Sequence, residues 1–155
     1  MDSTETPYDS TQDTLDHIAK VQWRLRQIRD DLSLRGDAHD QSKLQSPEKE
    51  VFDAVTPKLK GLTYGSDEYK AALVEMGAAL THHYANNSHH PEHFKNGING
   101  MTLLDVIEML CDWKAATERV AGGDFAKSLE INRTRFAISD QLASIFENTR
   151  REMRW

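Results

Sequence analysis

Tyr69-Lys70-Ala71-Ala72-Leu73-Val74-Glu75-Met76-Gly77-Ala78-Ala79-Leu80-Thr81-His82-His83 lies near the middle of the chain. Its residues Tyr69, Leu73, Met76, Leu80 and His83 fall at intervals of four, three, four and three. That period belongs to an α-helix with one buried stripe. The other long patterned segments repeat it, so the fold class is all-α. A helix is expected from Asp67 to Asn86, with Ser66 as its cap. His83 continues the inward stripe, whereas His82 is rotated about 100° away from it.

Past this helix the chain reads Asn87-Ser88-His89-His90-Pro91-Glu92-His93, and five of the seven histidines fall between Thr81 and His93. Neutral imidazole is the commonest protein metal ligand, so such a cluster points to a metal site. A solvated loop that happens to be rich in His is the plain alternative. Pro91, Gly97 and Gly100 make residues 86–100 a loop, which is expected to carry His89, His90 and His93 on mobile or partly ordered backbone.

Working outward, Val21, Leu25, Ile28 and Leu32 give a first helix from Thr11 to about Leu34, with His17 on the same inward stripe. A lone inward histidine is more often a core residue than a ligand. Arg35-Gly36-Asp37-Ala38 is expected to break this helix, and His39-Asp40-Gln41-Ser42-Lys43 follows. Ser46-Pro47-Glu48 reads as the start of a second helix, with Ser46 as cap and an acid in the first turn. Its apolar side is Val51, Phe52, Val55 and Leu59, and Pro57 should kink or end it. Thr102 with Asp105 forms a capping box for a fourth helix from about Leu103 to Ala121. Asp105, Glu108 and Asp112 then share one stripe of an otherwise apolar helix. Such a stripe is usually a solvated face. Buried, it would need a cation. Asp124 to Trp155 reads as a short and a longer helix, the latter with Ile138, Leu142, Ile145 and Phe146 inward. Residues 1–10 are polar and expected to be a disordered tail ahead of a single domain, 11–155.

The chain has 155 residues, a net charge of −6 and one cysteine, Cys111. The acidic balance and the lack of a basic stripe argue against duplex nucleic acid as the main partner. No apolar run is long enough to span a membrane, and the opening residues lack a signal-peptide pattern. A single cysteine fits a reducing compartment. A cytoplasmic protein is expected, with a homo-oligomer left open.

His17 on a first helix, the His39-Asp40 dipeptide and Asp112 on a later helix resemble the HD superfamily of metal-dependent phosphohydrolases. The resemblance implies a bundle of five to six helices around a central metal site held by His17, His39, Asp40 and Asp112. A finer likeness is to the HD-GYP branch, whose His-Asp-x-x-Lys segment matches His39-Asp40-Gln41-Ser42-Lys43. Its later His-His pair looks like His89-His90, but the GYP tripeptide is missing, with Gly97-Ile98-Asn99 in its neighbourhood. The chain as a whole also looks like small bacterial and phage proteins of a domain-of-unknown-function family, which lends no activity.

What the likeness implies is one or two divalent ions (Mn, Fe, Co, Zn or Ni) and a small phosphorylated substrate, a nucleotide or related phosphoester. Hydroxide bound to the ion would attack phosphorus. Lys43 would bind a substrate phosphate. His83 and His90 would complete a second metal site or serve as general acid, with His89 the weaker choice. Glu108 would act as base or support a ligand. Arg119, Arg133 and Arg135 are further phosphate-binding candidates, though surface positions suit them better. The same His-Asp-x-x-Lys segment occurs in the diiron oxygenases of the superfamily, which cleave C–H, C–C or C–P bonds with O₂. An inactive binding module is the third reading, weakened by the stability cost of unpaired buried Asp and His.

Overall fold

The computed structural model describes residues 8–63, 65–119 and 121–155. They form six α-helices, and among them there is no strand, so the all-α expectation holds. The first seven residues of the expected tail lie outside the described residues; Tyr8 to Ser10 are exposed and outside any helix. Contacts divide the chain into two compact units, Met1–Asp37 and Ala38–Trp155. Among the described residues, no helix is long and apolar enough to cross a membrane.

The first unit is built on α1 (Thr11–Ala38), which carries no buried residue. Val21, Leu25 and Ile28, expected inward, are 43, 60 and 41 % exposed. A single helix has no neighbour in its own unit against which a stripe could close. α1 also runs through Arg35-Gly36-Asp37, past the expected end at Leu34. One glycine costs a helix only about 1 kcal/mol and does not by itself stop it. The chain turns instead at Asp40, whose φ of 57° puts it in the left-handed region. Asp tolerates that region better than most residues, and a left-handed residue is a common way to leave a helix.

In the second unit a 3₁₀ turn, Gln41–Leu44, packs against α2 (Glu48–Leu59) and α3 (Asp67–Asn86), which also pack on each other. Ser46 does not cap α2, and Glu48 at its first position is fully buried. Pro57 falls inside α2, which continues to Leu59. Ser66 caps α3 as expected, accepting a hydrogen bond from the backbone N–H of Tyr69. α3 kinks at Gly77, whose backbone is not helical, so its buried residues are Met76, Ala79 and His83.

Two short 3₁₀ turns, Pro91–His93 and Gly97–Gly100, order the loop that follows. A Cβ on Gly100 would lie 2.7 Å from that of Phe94, so only glycine permits this close approach. α4 (Leu103–Glu118) begins with the expected Thr102–Asp105 capping box. α4 packs on α5 (Phe125–Arg135), and α5 on α6 (Asp140–Glu152). Their core is Met109, Leu110, Trp113, Phe125, Ile138 and Phe146. Trp113 stacks parallel to Phe136 at 5.8 Å and meets Phe146 edge-on at 6.1 Å. Ile145, expected inward, is half exposed.

Candidate metal centre

The centre lies within the second unit, where α2, α3, α4, the 3₁₀ turn after His39-Asp40 and the loop after α3 each contribute. The kinked α3 presents His83, which is 1 % exposed, and the loop presents His89, which is 2 % exposed. His89 was expected on mobile or partly ordered backbone, and the structure places it on ordered, buried backbone. Ser88 donates to the Asp105 carboxylate at 2.6 Å, and Asp105 is itself fixed by the capping box, so the start of α4 anchors the loop beside His89. Asp105 therefore leaves the acidic stripe to serve as a strut.

Asp105→Ala should lose the Asp105 half of the capping box and the part-buried Ser88 bond, destabilising the unit by about 2 kcal/mol. Denaturant unfolding would check this, and a loss below about 0.5 kcal/mol would mean the loop is held otherwise.

Two outer carboxylates orient the imidazoles. Glu48 Oε2 stands 2.9 Å from His83 Nδ1, and its other oxygen stands 2.7 Å from His82 Nδ1. Ser42 donates to Glu48 at 3.0 Å, and Asn87 donates to Ser42 at 2.9 Å. With Nδ1–H given to Glu48, His83 offers its Nε2 lone pair inward. Glu108 does the same twice, its Oε1 standing 2.9 Å from His39 Nδ1 and 3.1 Å from His89 Nδ1.

The freed Nε2 atoms converge on Asp40. Its Oδ1 is 3.3 Å from His83 Nε2 and 3.6 Å from His89 Nε2. Its Oδ2 is 3.6 Å from His39 Nε2, which is also 3.6 Å from Asp112 Oδ1. His90 Nε2 faces His83 Nε2 at 2.9 Å. Two nitrogens bound at right angles to one ion, each at about 2.1 Å, would stand about 3 Å apart. Asp40 Oδ1 and His89 Nε2 are buried without a hydrogen bond. A buried acceptor left without a partner is costly, and a cation between these two atoms would satisfy both.

Electrostatics agree with that chemistry. Burial pushes the Asp40 carboxyl up, but His83, Lys43 and His39 outweigh it and hold it well below the usual carboxylate range. Burial likewise works against Asp112, where the hydrogen bond to His39 prevails and lowers it. Asp112 in turn raises His39 to about 9 against its burial, with Glu108 and Asp40 adding to the effect. Burial and the neighbouring imidazoles lower His90 to about 3. Burial and the charge of His39 lower His89. His89 and His90 are thus neutral donors, and the surroundings of His39 call for positive charge. Two sets, Asp40-His83-His89-His90 and His39-Asp40-Asp112, each have the donors a divalent ion takes.

The other expected residues separate. Lys43 Nζ is 2.6 Å from Asp40 Oδ2 and so lies at the edge of the centre. His17 is exposed on α1 in the first unit, and the two sets above come entirely from the second. Arg133 pairs with Asp140 and Arg135 with Glu92, both as exposed ion pairs. Tyr84 of α3, not among the residues expected above, is half-buried with its ring 5.0 Å from that of His90. Glu48 was missed, because an acid after Ser-Pro looks like ordinary first-turn chemistry. Its partner His83 is 35 residues away, and no local pattern marks that pairing.

No curated protein and no solved structure matches the chain. Its sequence matches the family of unknown function DUF5662 over residues 6–152, nearly the whole length, and the chain belongs to that family.

Proposed function

We propose that this protein is a metal-dependent phosphohydrolase of the HD type, acting on a nucleotide or a related small phosphoester. The observation that carries the reading is Asp40, whose two carboxylate oxygens face two different donor sets, one of them completed by the unpartnered Nε2 of His89. A divalent ion in such a site lowers the pKa of water towards neutrality and polarises a phosphoryl oxygen. His83, His89 and His90 form one set with Asp40, and His39 and Asp112 form the other. Glu48 and Glu108 fix the tautomers of His83, His39 and His89, so their role is positioning. Lys43, about one-third exposed, stands where a phosphate entering from solvent would meet a positive charge.

Three imidazoles around a shared carboxylate suit two irons equally well, which keeps the diiron oxygenase as a second reading. The test is elemental analysis of protein purified without chelator, with an anaerobic aliquot, followed by a phosphate-release screen over nucleotides and simple phosphoesters. Manganese, cobalt, zinc or nickel with metal-dependent release supports the hydrolase. Two irons with a mixed-valence signal, and no phosphate release with any metal, would replace it with the oxygenase. Protein that holds no metal and gains no stability from added metal would overturn both.

A further inference from the structure

The two donor sets that meet at Asp40 are unlike each other. The inner one offers three imidazole nitrogens and Oδ1, and His83 and His89 are almost wholly buried. The outer one offers a single imidazole and two carboxylates, and the side chains of His39 and Asp112 are each 27 % exposed. Its Oδ2 is also engaged by the Lys43 ammonium at 2.6 Å.

From this asymmetry we propose that the centre takes up two divalent ions unequally. The first is held tightly by His83, His89, His90 and Asp40. The second binds weakly at His39, Asp40 and Asp112, where it must displace the ammonium of Lys43. The free divalent-ion level then governs how much of the centre is complete. This inference rests on the metal reading above and adds the order of filling and its regulation.

Imidazole nitrogen binds borderline divalent ions more strongly than carboxylate oxygen does. Inner imidazoles His83 and His89 are already oriented by Glu48 and Glu108, so little ordering remains to be done. The outer set is open to water, which competes for the ion. Lys43 is a compact charge on a flexible stem, able to leave Oδ2. Its ammonium lies 5.2 Å from the centre of the Phe52 ring, whose face offers an alternative resting place.

Calorimetric titration of the chelator-stripped full chain with Mn²⁺, with stoichiometry checked by elemental analysis, tests the proposal. Two binding events are expected, with affinities at least about tenfold apart. Asp112→Asn should abolish the weak event and keep the tight one. Lys43→Met should strengthen the weak event about tenfold and leave the tight one unchanged. Circular dichroism would confirm that each variant is folded, and if Asp112→Asn does not fold, Lys43→Met decides alone. Equal affinities, a single ion, loss of the tight event in Asp112→Asn, or an unchanged or weaker second event in Lys43→Met would overturn the proposal while leaving a metal site. No binding in any variant would overturn the metal reading itself.

Discussion

Under the proposed two-ion hydrolase reading, Asp40→Asn is expected to lower metal content to at most one ion and to reduce phosphate release roughly 10³-fold, about 4 kcal/mol of transition-state stabilisation. The size follows from position. Asp40 supplies Oδ1 to one donor set and Oδ2 to the other. An amide keeps one carbonyl oxygen, carries no charge, and presents a donor where the second oxygen stood. Asn is the informative replacement because the backbone is left-handed here, with φ of 57°, and Asn accepts that region at least as readily as Asp. Alanine would add backbone strain to the loss of the ligand and blur the result. A thermal readout should agree with the kinetic one. An ion at 100 times its dissociation constant stabilises the folded state by about 2.7 kcal/mol, so the wild type should melt higher with metal and Asp40→Asn much less so. Full metal content and activity in Asp40→Asn would remove this residue from the centre.

Glu48→Ala should be the most destabilising single change near the site, at about 3–5 kcal/mol. The carboxylate is wholly buried and serves His82, His83 and Ser42 together. Burial alone would push its carboxyl up. His82, Ser42 and His83 reverse that and hold it below its usual value. Truncation leaves the Nδ1–H of His83 with only the Ser42 hydroxyl, 3.3 Å away, as an acceptor and loosens the ring. Metal affinity should therefore fall by about 10–100-fold even in molecules that remain folded. Glu48→Gln separates the two effects. It fills the same volume and restores most of the stability, but its NH2 replaces one of the two oxygens that separately face His82 and His83, so one histidine loses its acceptor and part of the loss of affinity should persist. Chemical denaturation together with metal titration would show this. If Glu48→Gln bound metal as tightly as the wild type, Glu48 would be a packing residue only.

Much of the architecture was legible along the chain. The four-three spacing of Tyr69, Leu73, Met76 and Leu80, the Ser66 cap and the Thr102–Asp105 box locate α3 and the start of α4 with little error. These are local signals. Apolar period and capping chemistry act within one or two helical turns, so they survive without knowledge of the partner element. The histidine cluster, the His39-Asp40 dipeptide and Asp112 were visible for the same reason, since candidate metal ligands are recognisable as residue types.

Periodicity tells which face of an element turns inward, but not which elements meet. Glu108 reaches His39 across 69 residues, and Glu48 reaches His83 across 35. His89 looked like a mobile loop residue and is buried because Ser88 is tied to a helix cap 17 residues on. Asp105, one of three acids on a single stripe, was drawn off as the strut for that tie. The amino-acid sequence by itself determined the helices, the Ser66 and Thr102 caps and the stock of candidate ligands. The tertiary structure alone decided which carboxylates orient which imidazoles, because long-range pairing in a close-packed interior leaves no periodic trace in the chain.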